Sequence, residues 1–110
     1  PKINRLQKNK DFEEVFKKGK GVKEDFLFLK FLDNNLGVSR FGFVVANKIS
    51  NKATVRNRIK RKLKDLVREK LPAIKKGTDL VVIVNRQINA KEFGEMEKTI
   101  NKLFLKSNIL

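Results

Sequence analysis

Apolar residues recur along this chain in two rhythms, and the switches between them mark out its elements. In residues 9–19, NKDFEEVFKKG, Phe12, Val15 and Phe16 stand at i, i+3 and i+4 and so share one face of a short helix. Asn9 is its candidate cap, Asp11, Glu13 and Glu14 suit its positive end, and Gly19 closes it. Two stretches rich in Phe, Leu and Val follow, DFLFLKFLD (25–33) and SRFGFVVAN (39–47). The Asn and Gly of DNNLGV between them suit a turn, which predicts paired antiparallel strands. Alternation puts Phe26, Phe28, Lys30 and Leu32 on one face and Leu27, Leu29 and Phe31 on the other.

From Ser50 or Asn51, either able to cap, no Gly or Pro interrupts the chain until Leu71, and Pro72 ends this longest helix. Residues 77–85, GTDLVVIVN, form a continuous apolar run that fits a strand covered on both faces. A strand, helix, strand order predicts that the two strands flanking the long helix run parallel. Residues 90–108 set Phe93, Met96, Ile100, Leu103 and Phe104 at helical spacing, a closing helix with Gly94 as its weak point. The expected fold is therefore α/β (α+β): a small mixed sheet with helices packed on it, in the order α-β-β-α-β-α, with room for one extra short strand. No repeat or linker divides it, so residues 1–110 are expected to form a single domain.

Twenty-seven Lys and Arg stand against twelve Asp and Glu, a formal net charge of +15 that points to a polyanionic partner. Cysteine and histidine are both absent. Disulfides, thiolate zinc sites and cysteine nucleophiles are thereby excluded, and with the commonest general base missing an autonomous hydrolase is disfavoured. The basic opening PKINRLQKNK leads into no apolar run of signal-peptide length, and nothing approaches the ~20 apolar residues of a membrane span, so a soluble cytoplasmic protein is expected. The basic segment also lacks the aromatic-rich apolar face of interfacial helices.

The charge concentrates in KATVRNRIKRKL, residues 52–63. At 100 degrees per residue Val55, Ile59, Leu63, Leu66 and Val67 gather towards the core, Asn57, Arg58, Arg61, Lys64 and Arg68 gather opposite, and Arg56 and Lys60 lie on the border. A charge run is by default a solvated face. Here Arg56, Lys60, Lys64 and Arg68 are successive i, i+4 neighbours of like sign, each pair costing about 0.2 to 0.5 kcal/mol. Lys52 and Arg56 occupy the first turns, where the helix dipole disfavours cations. Asp65 and Glu69 come too late to offset them. Phosphates would supply the missing negative charge, so this helix is expected to lie on nucleic acid. No short helix precedes it as a helix-turn-helix requires, and the RNP aromatic pattern is missing. A cationic groove with aromatics nearby suits single-stranded RNA.

NKDFEEVFKKG, SRFGFVVANK, NKATVRNRIKR and GTDLVVIV, in that order, resemble the protein subunit of bacterial ribonuclease P over nearly the whole chain. The resemblance implies a left-handed crossover between the parallel strands, against the general rule. It implies a protein that binds the catalytic RNA and the 5′ leader of precursor tRNA, so that the leader is removed endonucleolytically. In that family the RNA is the catalyst and uses magnesium. The protein is then expected to hold no catalytic residue, metal or cofactor, and to bind neither DNA nor membrane.

By position, the family's basic-helix motif falls on Arg56, Asn57, Arg58, Lys60 and Arg61, joined by Arg40 and Lys48. Lys52, Lys64 and Arg68 of the same helix complete the expected RNA-contacting set. The leader cleft falls on Phe12, Phe16, Phe28 and Lys30. Core packing is the alternative for the two helical Phe, and protection of an edge strand the alternative for Lys30. Lys30 stands where relatives often carry an aromatic, favouring phosphate contact over stacking, and Asn47 where a second lysine is common. Three rivals are a structural RNA-binding protein such as a ribosomal protein, a DNA-binding protein, and a magnesium nuclease. The last would use Asp25, Asp33, Asp65 and Asp79, whose spacing forms no recognisable metal set.

Overall fold

The two Phe-rich stretches form strands that do not pair with each other. In the computed structural model, which describes residues 2–46 and 48–110, the last strand inserts between them. The sheet comprises β1 (Lys20–Glu24), β2 (Leu27–Asp33), β3 (Arg40–Val45) and β4 (Thr78–Val84), in the order β1-β2-β4-β3. β4 runs antiparallel to β2, with Leu27 opposite Val84, and parallel to β3, with Val45 opposite Val84. An apolar strand gains most from the central position, where neighbours cover both its edges. Residues 34–38 turn the chain without closing a hairpin: Asn35 and Gly37 take positive φ, and the Asn34 Nδ2 donates to Val38 O and to Asp79 on β4. Asn47, at the end of the second stretch, lies outside the described residues.

The extra short strand is β1, which pairs antiparallel with β2 across a turn at Asp25, whose φ is 56°. That turn breaks the alternation, so Phe26 enters the main core with Leu27 instead of sharing a face with Phe28. The main core lies between one face of the sheet (Leu27, Leu29, Phe41, Val45, Leu80, Val82, Val84) and two helices, α2 (Ala53–Lys70) and α4 (Met96–Ser107). On the opposite face α1 (Asn9–Lys18) lies against β2 and β4, burying Val15 on Val81 beside Leu6 and leaving Phe12, Leu32, Val44 and Ile83 partly covered.

Three predicted helix boundaries shift. Lys8 and not Asn9 is the cap of α1, and Lys52 caps α2 in place of Ser50 or Asn51; neither offers a side-chain bond. Ser50 instead accepts from the Lys52 amide through its hydroxyl, which holds the chain outside the helix until Ala53. Val55, on the first turn, is 40% exposed and does not join the core arc of Ile59, Leu63 and Val67. The closing helix is two: α3 (Ala90–Gly94) ends at Glu95 and α4 begins at Met96. Asn89 and Glu92 form a reciprocal capping box for α3, and Gly94 weakens its continuation.

Gly19 ends α1 without a left-handed turn, its φ being −76°. A side chain is barred because a Cβ would collide with the Val15 carbonyl and stand 2.7 Å from the Phe31 oxygen, both backbone atoms. Gly19→Ala is therefore expected to cost about 2 kcal/mol and to lower the melting temperature by about 10 °C, read by calorimetry; a melt within 2 °C of the parent, on the order of a few tenths of a kcal/mol, would refute the close approach.

Candidate nucleic-acid interface

A groove of about 530 Å³ opens where β3 runs along the edge of the sheet between α1 and α2. Its floor is Leu6, Phe12, Phe41, Gly42 and Phe43, its wall is Asn57, Lys60, Arg61, Lys64 and Arg68, and Arg5 stands at the rim. The floor follows from RFGF. Phe41 and Phe43 meet edge to face with ring centroids 5.6 Å apart, and the glycine between them makes room for Phe12, whose ring would lie 2.5 Å from a Cβ at position 42. The Leu6 amide donates to Phe41 O at 3.0 Å and holds the N-terminal segment along the strand edge. The wall follows from helical spacing, which repeats these residues at three and four along α2. The result is an aromatic floor beneath four cations of one helix, with no carboxylate among the described residues of the lining.

The groove unites half of the residues expected to contact RNA with Phe12 of the expected leader set. It leaves others outside. Arg40 lies on β3, where its Nε and Nη2 donate to Asp79 at 2.9 and 2.6 Å and Nη1 to Asp11 at 3.4 Å. The bonds to Asp79 raise its guanidinium further above the usual arginine value despite opposing desolvation, so it is a charged brace between α1 and the sheet. Arg56 ties the entry of α2 by donating to Ser50 O at 2.7 Å. Lys48 and Lys52 are exposed near that entry, Lys48 beside a shallow pocket with Ile49, Val55, Gln87 and Ile88. Arg58 sits on the flank of α2 away from the groove, its guanidinium 4.5 Å from the centre of the Phe93 ring.

The remaining leader residues gather on the thinly covered face. Phe16, 41% exposed, meets Phe12 with ring centroids 6.5 Å apart. Phe28 and the Lys30 stem lie over Gly21, where a Cβ would approach them to 2.8 and 3.3 Å, and the Lys30 Nζ donates to Gly19 O at 3.4 Å. Lys30 is not an edge-strand lysine, because β2 is flanked by β1 and β4. Phe12 joins the two areas, touching Gly42 in the groove and Phe16 beside the sheet.

Two of the four carboxylates considered for a nuclease are already committed, Asp79 to Arg40 and Asp25 to Arg86 at 2.9 Å. Arg86 also donates to Glu92 at 2.7 Å, and that bond holds the Glu92 carboxyl below the usual range. Among the described residues, no three Asp or Glu side chains converge on a possible cation position. None of the described helices is long and apolar enough to cross a membrane. Sequence reasoning missed Arg5, Leu6, Phe41, Gly42 and Phe43 in the groove, and Lys62 and Phe93 beside Arg58. Only Gly42 carried a signal, as a glycine between two aromatics in a strand.

Comparison with known proteins agrees over the full length. The family model described as Ribonuclease P matches residues 1–108. The ribonuclease P protein component of Synechocystis sp. is 36% identical over 111 residues, covering 100% of this chain and 90% of its own. Among solved structures, the ribonuclease P protein of Thermotoga maritima superposes with a TM-score of 0.72 at 33% identity, covering 94% of this chain and 93% of that one. A mutant ribonuclease P protein of Staphylococcus aureus shares the fold, with a TM-score of 0.87 at 24% identity over 99% of this chain and 92% of its own.

Proposed function

The chain belongs to the ribonuclease P protein family, a subunit of the ribonucleoprotein endonuclease of tRNA processing, and from that premise we propose how it handles RNA. The exposed side of α2 and its groove hold the catalytic RNA, and Phe16, Phe28 and Lys30 hold the single-stranded 5′ leader of precursor tRNA. The observation that carries this reading is the groove itself, an acid-free cationic wall over an aromatic floor. Lys60, Arg61, Lys64 and Arg68 neutralise phosphates, and their like-charge neighbours along α2 make that neutralisation favourable. Arg61 adds a planar fork for two phosphate oxygens, where lysine offers a point charge. Beside the groove, the exposed face of Phe16 can carry an unstacked base while Lys30 meets the adjacent phosphate.

Hydrolysis is assigned to the RNA and the magnesium it binds. The protein's share is affinity: it holds the leader and the folded RNA together, so less magnesium is needed to screen their mutual repulsion. The commitment of Asp79 and Asp25 to arginines supports this division.

Cleavage of precursor tRNA by a bacterial ribonuclease P RNA at low magnesium, with and without the protein, tests it, with protein alone as the control. Stimulation is expected to fade when the leader is cut to a few nucleotides. Phe16→Ala is expected to raise KM about tenfold for a long leader, the loss of one stacked base, and to leave a leaderless substrate unaffected. Stimulation independent of leader length would remove the leader assignment and leave a general RNA-binding subunit.

A further inference from the structure

The helix α3 has five residues, none fully buried, yet it is fastened at both ends. At its start Asn89 and Glu92 cap each other's backbone amides, and Arg86 binds the Glu92 carboxylate and Asp25 of the β1–β2 turn. At its end the Lys62 ammonium donates to the carbonyl of Phe93 and lies 4.2 Å from the centre of that ring. This much fixation for so little buried surface calls for a purpose outside the core, which Phe93 touches only as a partly buried residue.

Arg58 supplies one. Its guanidinium lies over the same ring, 4.5 Å from the centroid, and among the described residues it has neither a hydrogen bond nor a salt bridge. A guanidinium held over a ring in this way leaves its N–H groups free for a bidentate phosphate contact. Without the ring this exposed side chain would sample many rotamers and lose that position. Lys62, one turn further along, cannot serve the same end so freely, since its ammonium is already bonded to Phe93.

We propose that Phe93 is a positioning residue that holds Arg58 ready for a phosphate of the bound RNA, an inference that rests on the reading of α2 as an RNA-binding helix. α3 is then a bracket for α2, set off from α4 by the break at Glu95.

The test is a double-mutant cycle on binding to an in vitro transcribed bacterial ribonuclease P RNA across a salt series, with Arg58→Ala, Phe93→Leu, both together, and Phe93→Tyr as the conservative rescue. Phe93→Leu is expected to weaken binding about fivefold and to make the slope of log K against log salt shallower by about 0.7 to 0.9, one phosphate contact, although no charge is altered. Phe93→Tyr is expected to keep parental affinity, and the double variant to bind no worse than Arg58→Ala. Parental affinity in Phe93→Leu, a loss with unchanged slope, or losses that multiply in the double variant would each overturn the proposal. If Arg58→Ala itself bound normally, the role of this part of α2 in RNA binding would fall too, which separates the two failures.

Discussion

Changing Lys60 and Lys64 together to glutamine is expected to stabilise the free protein by roughly 1 kcal/mol and to weaken its complex with a ribonuclease P RNA about thirtyfold at physiological salt. Both side chains line the groove, and on α2 they stand between Arg56 and Arg68 in a file of like charges four residues apart. Removing them relieves three repulsive neighbour pairs, each on the order of 0.2 to 0.5 kcal/mol. In the complex the same change is expected to remove two phosphate contacts and so to flatten the salt dependence by roughly 0.7 to 0.9 per contact. Thermal melting and filter binding on one preparation read the two effects. Opposite signs are the signature of a face shaped by its partner. A variant that lost stability, or that bound RNA as the parent does, would make the row an ordinary solvated face.

Asp79→Ala is expected to destabilise the fold by about 3 kcal/mol and to lower melting by about 15 °C. Asp79 is 4% exposed on the central strand and accepts from Arg40 twice and from Asn34 at 2.7 Å. Its loss strands a partly buried guanidinium, for which Asp11 at 3.4 Å is a poor substitute, and frees the loop that Asn34 anchors. Partial solvent access to Arg40, 21% exposed at its side chain, keeps the cost at the low end for a broken buried pair, on the order of 3 kcal/mol. RNA affinity of the folded fraction should be nearly unchanged, because the groove wall belongs to α2. A loss below about 1 kcal/mol would mean that Arg40 swings to solvent without cost, and would return it to the candidate RNA contacts.

This brace is where sequence reasoning and structure part most instructively. Arg40 and Asp79 are 39 residues apart, and nothing in either neighbourhood announces the other. In the chain Arg40 reads as a cation that joins the basic helix in contacting RNA. Placed on parallel neighbouring strands, directly opposite Asp79, it becomes part of the scaffold. The helix caps differ from those expected for a related reason. Asn9 and Ser50 have the chemistry of caps, but Asn9 is already the first residue of α1, and the Ser50 hydroxyl is taken by the Lys52 amide just outside α2.

What the sequence determined by itself is what local periodicity and charge can encode: the long helix with its buried and cationic faces, the parallel strands on either side of it, and the family that the ordered motifs identify. What the tertiary structure decided is adjacency. The strand order put β4 between β2 and β3, the β1–β2 turn sent Phe26 into the main core, and the fold brought Phe12 over Gly42 to join two separate clusters of candidate residues. Side-chain rhythm specifies which way a residue faces. It carries no record of which strand lies alongside, because that choice is settled by the competition among whole elements to cover one another's apolar surface.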